Sequence, residues 1–87
     1  MINVHNNSGN TIDVAVNKWA SDGDTSFFTI KNGGTEKWHR GDVNGFVMAI
    51  KFDRHLTRRY YVKADSVINV EPLNVVLDGG NTINPVG

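Results

Sequence analysis

Two tryptophans and the polar residues around them are the side chains best suited to chemistry in this sequence. An aromatic ring can stack on the apolar C–H face of a sugar, while carboxylate, amide and guanidinium groups bind its hydroxyls. Charged partners make the stronger hydrogen bonds and therefore the sharper discrimination. The candidate carbohydrate-binding residues are Asn17, Trp19, Asp24, Trp38, His39, Arg40 and Asp42.

Packing is the alternative role for both tryptophans, because Trp is highly buried on average and a small core needs bulky side chains. Polar same-face neighbours favour binding instead: Asn17 lies beside Trp19, and Glu36 and Arg40 lie beside Trp38. Both rings also lie within a few residues of Gly/Asp turns, where a rigid β scaffold displays its binding groups. We therefore expect at least one ring to be a platform.

The elements that must position these residues are short β-strands. Apolar or alternating runs are separated by turn signals about every 8–12 residues, which predicts an all-β protein. We expect a small antiparallel two-sheet sandwich, or a compact barrel, of about seven to nine short strands, with residues 1–87 forming a single domain. Residues 46–52 are apolar on both faces and predict the central strand. Asn32-Gly33 predicts a tight hairpin between its flanking strands.

Strand periodicity separates the two tryptophans. An apolar row begins at Ile12 and continues at every second residue, so Trp19 falls on the opposite, polar face. Trp38 lies in a segment too polar for alternation to decide, and its case rests on the neighbouring charged groups. One shared site requires that strands 11–19 and 35–40 end at the same end of the fold.

Composition narrows the classes of partner. Nine basic residues balance nine acidic ones, so we expect neither a nucleic-acid partner nor an anionic membrane surface. The chain has no cysteine, which leaves no disulfide or thiolate metal site. No apolar run approaches the ~18 residues of a membrane span, and the first residues lack a signal-peptide pattern. We expect no membrane insertion and a cytoplasmic location, or release without a signal peptide.

Catalytic and metal-binding patterns are weak. The three histidines are scattered, and no serine occupies a nucleophile-elbow motif. Asp22-Gly23-Asp24 resembles the start of a calcium loop, but the twelfth position is Gly33, where a bidentate Glu is required. Paired carboxylates could hydrolyse glycosides, but so small an all-β chain leaves little room for an enclosed cleft. We expect no enzyme, no metal and no cofactor.

One basic cluster could bind single-stranded nucleic acid, because cations beside stacking aromatic rings are what such surfaces need. The alternative is a solvated hairpin whose tyrosines pack while its arginines face water, and zero net charge favours this alternative. The cluster comprises Lys51, Arg54, His55, Arg58, Arg59 and Lys63, interleaved with Tyr60 and Tyr61.

Several segments carry a family resemblance: residues 2–9 (INVHNNSG), 16–19 (VNKW), and 36–42 (EKWHRGD) leading into 45–48 (GFVM). They resemble the very small fungal and plant lectins that include the α-galactosyl-binding lectin of Lyophyllum decastes. The resemblance covers about the first two-thirds of the chain and excludes the basic cluster. It implies a compact all-β lectin, glycans with terminal galactose as ligands, and a homodimer.

The residues and the resemblance together predict a sugar-binding module without catalytic activity. Trp19 or Trp38 would stack on a galactose-like ring, and Asp24 and Asp42 would accept hydrogen bonds from its hydroxyls. Arg40 and Asn17 would donate hydrogen bonds, and His39 is a further candidate. The alternative is a protein-interaction or structural β-domain, such as an inhibitor or assembly subunit, that uses the same aromatic rings as a hot spot.

Overall fold

The computed structural model of the chain describes residues 1–18, 27–39, 45–53 and 55–86. Strands dominate this part of the chain, and a single 3-10 turn, Pro72–Asn74, joins the seventh strand to the eighth. The strands are β1 Ile2–Asn6, β2 Ile12–Lys18, β3 Phe28–Ile30, β4 Thr35–Trp38, β5 Phe46–Asp53, β6 Leu56–Val62, β7 Val67–Glu71, β8 Val75–Asp78 and β9 Asn81–Ile83.

The strands form two sheets, which confirms the predicted all-β sandwich. The first sheet has the order β4-β1-β7-β8-β9, and the second has the order β3-β2-β5-β6. All neighbours are antiparallel except β1 and β7, which run parallel with Val4 opposite Ile68. The antiparallel prediction is wrong for this one pair. Parallel neighbours need a long crossover connection, and here the crossover includes the whole second sheet.

Alternation places one apolar face of each sheet in a shared core. In the first sheet Ile2, Val4 and Ile68 are fully buried, and in the second sheet Val14 and Ile50 are. These residues belong to one hydrophobic cluster that spans both sheets. β5 pairs with β2 on one side and β6 on the other, so the prediction of a central, buried strand at residues 46–52 is confirmed.

The hairpin predicted at Asn32-Gly33 is wrong, although a turn is present there. The Gly34 amide donates to the Lys31 carbonyl over 2.8 Å, and Gly33 has φ +87°. Asn32 does not share this positive φ, so the turn lacks the geometry that makes strands fold back as a tight hairpin. β3 pairs instead with β2, and β4 pairs with β1. The turn therefore carries the chain from one sheet to the other.

Asn6 fastens this crossing turn to the sandwich. Its backbone amide donates to Gly34 over 2.9 Å, and its carbonyl accepts from the Gly33 amide over 2.7 Å. Its fully buried side chain donates to the carbonyls of Ile30 and Asn10 over 2.8 and 2.6 Å. A buried amide with every group satisfied fixes the end of the sandwich that it occupies.

The two open sides of the sandwich are each bridged. On one side the rings of Phe28 in β3 and Trp38 in β4 meet edge to face. On the other, the chain after β9 crosses to β6, where the Val86 amide donates to the Arg59 carbonyl over 2.7 Å. Among the described residues no helix is long and apolar enough to cross a membrane.

Candidate functional site

β2 and β4 end at the same end of the sandwich, which we call the Trp38 end. Trp38 lies opposite Ile2 in the first sheet, and Lys18 lies opposite Phe46 in the second. The Phe28–Trp38 ring contact, with centroids 5.8 Å apart, joins the two sheets at the level of Val14, which lies opposite Phe28 in β2. β2 and β4 thus run toward the same end of the sandwich, and a site that draws residues from both strands stays a prediction.

Trp38 itself is a core residue. Its side chain is 5% exposed, and its ring meets that of Phe28 at 78°. Its cross-strand neighbour Ile2 is fully buried, so the pairing of β4 with β1 directs the ring between the sheets. The interpretation of Trp38 as a stacking platform is wrong, because a platform needs an accessible face. Its polar neighbours Glu36 and Lys37 are exposed on the same edge strand.

Two other predicted site residues lie in the described part of the chain. Asn17 is half-buried on the outer face of the second sheet, opposite Val47. That face is the one to which alternation assigned it, since Val14 and Val16 point into the core. His39 follows Trp38 at the end of β4 and is exposed. Both residues are therefore at the Trp38 end.

The remaining four predicted residues, Trp19, Asp24, Arg40 and Asp42, lie outside the described residues. In sequence they belong to the connection that leaves β2 after Lys18 and to the connection that leaves β4 after Trp38. Both connections start from the Trp38 end. The roles of these four side chains stay predictions.

A polar cleft on the outer face of the second sheet was missed from the sequence. It has a volume of about 420 Å³ and is lined by Thr11, Asp13, Lys51 and Asp53. The Thr29 hydroxyl donates to Asp13 Oδ1 over 2.7 Å. Carboxylates, a hydroxyl and an ammonium group together suit a hydroxylated ligand. Asp13 and Lys51 meet only through the pairing of β2 with β5, and no local sequence signal shows that pairing.

A second surface groove runs between β6 and the C-terminal tail. It has a volume of about 480 Å³ and is lined by Leu56, Thr57, Arg58, Arg59, Pro85 and Val86. Arg58 and Arg59 are exposed, whereas Tyr60 between Arg59 and Tyr61 is 1% exposed. The prediction that the tyrosines pack while the arginines face water therefore holds for Tyr60, whereas Tyr61 is still 37% exposed.

Tyr60 is the described residue whose ionisation is clearly perturbed. Burial raises the pKa of its hydroxyl, and the nearby Arg58 guanidinium opposes that rise in part. A phenol with a raised pKa stays protonated, so it is no base at neutral pH. Within the described ranges no group of three or more His, Cys, Asp or Glu side chains could hold a metal ion.

Within the described residues the surface thus includes the Trp38 end, the cleft beside Asp13 and the groove beside Arg58. Comparison with family models, with curated proteins and with solved structures finds no match to this chain.

Proposed function

We propose that the protein is a non-catalytic lectin that binds galactose-type, α-galactosyl glycans at the Trp38 end. The observation that supports this most directly is the common end of β2 and β4, which carries Asn17 and His39. The connections that hold Trp19, Asp24, Arg40 and Asp42 leave from the same strand ends. All seven candidate residues therefore belong to one end of the fold or to connections that start there.

Because Trp38 is buried, this proposal gives the stacking role to Trp19. Trp38 supports the site from within the core, where its contact with Phe28 holds β3 and β4 together. In this proposal Trp19 covers the apolar face of the sugar, and Asp24 and Asp42 accept hydrogen bonds from hydroxyls. Asn17 and Arg40 donate to ring or hydroxyl oxygens, and His39 lies at the rim.

Such a site binds weakly on its own. Each hydrogen bond to the sugar replaces one to water and contributes only about 0.5–1.5 kcal/mol. Useful binding to a cell surface then requires more than one site, and a homodimer presenting two sites would supply it. Galactose-terminated glycans, a homodimer and a cytoplasmic origin are the partners and location that go with this proposal.

The chain has two tryptophans, so two single-tryptophan variants can test the assignment. Trp38→Phe leaves Trp19 as the only indole fluorophore, and Trp19→Phe leaves the buried Trp38. Titration with methyl α-galactoside should change the emission of Trp38→Phe and leave that of Trp19→Phe unchanged. Methyl α-glucoside and methyl α-mannoside are the matched sugar controls.

Emission that is unchanged across galactosides, glucosides and mannosides in the native protein and in Trp38→Phe would refute the lectin proposal. The protein-interaction alternative would then take its place, since Phe28 is 49% exposed and could contact a protein partner. A response confined to Trp19→Phe would instead keep the sugar site and return the platform to Trp38. Agglutination of red blood cells that free galactose reverses would show that the protein in solution carries more than one galactose-binding site.

A further inference from the structure

The charges of this neutral protein are unevenly distributed along the chain. Residues 51–63 contain five of the nine Lys and Arg residues and one of the nine Asp and Glu residues, a net charge of +4. The remaining residues hold four basic and eight acidic side chains, a net charge of −4. Zero net charge therefore hides an uneven distribution of charge along the chain.

The structure concentrates this charge along one sheet edge. β6 is the last strand of the second sheet, and Arg58 and Arg59 on it are both exposed, as is Lys63 just beyond its end. Arg59 and Lys63 share the outer face and are four residues apart, or about 13 Å along an extended strand, whereas Arg58 alternates to the face of Tyr60. Lys51 on the neighbouring strand is exposed and lies opposite Thr57, but it shares its cleft with Asp13 and Asp53. We call Arg58, Arg59 and Lys63 the basic stripe.

The stripe borders a groove rather than a flat surface. Arg58 and Arg59 line the groove of about 480 Å³ together with Thr57, and Pro85 and Val86 of the C-terminal tail form its other wall. None of the described lining residues is acidic. Guanidinium groups bind the oxygens of sulfate and carboxylate groups through paired hydrogen bonds, so the groove has the chemistry of an anion site.

From these observations we propose that the basic stripe and its groove bind an acidic polysaccharide, one that carries sulfate or carboxylate groups along a linear chain. A linear polyanion can follow β6 and place one anionic group in the groove that Arg58 and Arg59 line and another near Lys63. This site is separate from the galactose site proposed at the Trp38 end and involves none of the residues assigned there.

Two features of the groove favour a polysaccharide over other polyanions. Single-stranded nucleic acid needs several exposed rings on which its bases stack. No aromatic ring is among the described lining residues of the groove, Tyr60 is buried, and Tyr61 between Arg59 and Lys63 is only 37% exposed. An acidic peptide would bind an edge strand most simply by adding to the sheet. At this edge the tail is already in place, because the Val86 amide donates to the Arg59 carbonyl over 2.7 Å.

The test measures binding of short-chain dextran sulfate to the full chain, with uncharged dextran of the same length as the comparison. We expect binding to dextran sulfate that weakens as salt is raised, and none to dextran. Arg58→Gln/Arg59→Gln should lower the affinity at least about tenfold, since charge-assisted hydrogen bonds are lost. Lys31→Gln/Lys37→Gln changes the net charge equally at two exposed positions outside the stripe, and should leave the affinity within about twofold.

Amide chemical shifts locate the ligand. Dextran sulfate should shift the amides of Thr57, Arg59 and Val86, and titration of Arg58→Gln/Arg59→Gln with methyl α-galactoside should match that of the native protein. Equal weakening by the two double variants would overturn the proposal, as would shifts centred on the Trp38 end. Equally tight binding of oligothymidylate or of polyglutamate would overturn the choice of polysaccharide as partner. Circular dichroism of both variants checks that they fold.

Discussion

At the scale of single residues, the polar side chains buried in the core carry the sharpest structural consequences. Asn6 is fully buried, and its side-chain oxygen accepts from the Ser8 amide and hydroxyl over 3.0 and 2.6 Å. Its side-chain nitrogen donates to two carbonyls, those of Asn10 and Ile30. Removing a buried polar group lowers the free energy of unfolding most when its partners are left without a hydrogen bond. Asn6 therefore contributes more to stability than a side chain of its size usually does.

Asn6→Ala should lower the free energy of unfolding by about 2–4 kcal/mol, because it leaves the buried Ile30 carbonyl and its neighbours without a donor. Asn7→Ala is the matched control: its side chain is exposed and makes one bond of 3.2 Å to Glu71, so it should cost under about 0.5 kcal/mol. Urea unfolding of both variants measures the difference. Equal losses of unfolding free energy in the two variants would show that the buried hydrogen bonds of Asn6 add no stability.

Tyr60 gives stability a dependence on alkaline pH. Because burial raises its pKa above 10.0 in the folded state, the protonated phenol is favoured by folding. That contribution is fully present below the unfolded pKa and is lost as the pH rises through the folded pKa. Native protein should therefore lose stability relative to Tyr60→Phe above about pH 10. Urea unfolding of both proteins at several pH values between neutrality and this range measures the difference.

The pKa of Tyr60 also reports on the nearby Arg58. Arg58 partly opposes the rise in the pKa of Tyr60, so Arg58→Gln should raise that pKa further. Ultraviolet titration of the phenolate, with Tyr60→Phe as the reference for Tyr61, follows the change. A pKa that falls in Arg58→Gln would contradict the proximity of the guanidinium to this hydroxyl.

At the scale of elements, the all-β class and the positions of β2, β4 and β5 could be predicted from the sequence, but the partners of these strands could not. Alternation and turn residues located β2 and β5, because these signals are local. The turn at Gly33 was also local, yet β3 and β4 on either side of it pair with β2 and β1 in different sheets. The parallel pairing of β1 with β7 joins distant parts of the chain, and no local pattern encodes such a choice.

The candidate site shows the same division between local and distant information. Alternation placed Asn17 on the outer face of β2, and the structure agrees. The burial of Trp38 depends on Ile2 and Phe28, residues from two other strands. The cleft beside Asp13 likewise needs Lys51 from β5. The local sequence therefore indicated which functional groups were present. Their exposure depended on residues of other strands, and the sequence did not show which strands would pair.

The entry to β5 depends on a glycine for two separable reasons. Gly45 has φ +84°, and a Cβ there would lie 2.5 Å from the Tyr61 hydroxyl oxygen and 2.6 Å from Cε1 of the same ring. Gly9 has a similar φ of +87° but open space around it. Gly9→Ala should therefore cost only the left-handed backbone term, about 1–2 kcal/mol, while Gly45→Ala should cost more.

A double-variant cycle separates the two costs at Gly45. In a Tyr61→Ala background the ring is absent, so the cost of Gly45→Ala should fall to that of Gly9→Ala. Chemical unfolding of the four proteins of the cycle gives the coupling free energy, which we expect to exceed about 1 kcal/mol for residues in direct contact. Additive losses would mean that Tyr61 turns aside without cost.

At the scale of the whole molecule, the surface area is that of an ordinary compact monomer, whereas the charge is unevenly distributed along the chain. The accessible surface is 5265 Å², close to the roughly 5,100 Å² expected for a folded monomer of this mass. The fold is therefore as compact as a chain of this length can be expected to be. Its charge, however, is divided along the chain between residues 51–63, with a net charge of +4, and the remainder, with a net charge of −4.

Division of charge predicts weak self-association that depends on salt. At low ionic strength the basic region of one molecule should attract the acidic remainder of another, and near 0.15 M salt, where the Debye length is about 8 Å, the attraction should largely disappear. Light scattering should therefore give an attractive second virial coefficient at low salt that rises toward zero as salt is added.

Two charge-reversal variants distinguish this division from net charge. Arg58→Glu/Arg59→Glu brings residues 51–63 to zero net charge, and Lys31→Glu/Lys37→Glu leaves them at +4, while both proteins carry −4 overall. Because the first removes the basic region, it should be repulsive at all salt concentrations. The second keeps a basic region facing a more acidic remainder, so it should be less repulsive at low salt than the first. Identical virial coefficients for the two variants would show that net charge alone governs how these molecules interact, and that the basic stripe exerts no field of its own at a distance.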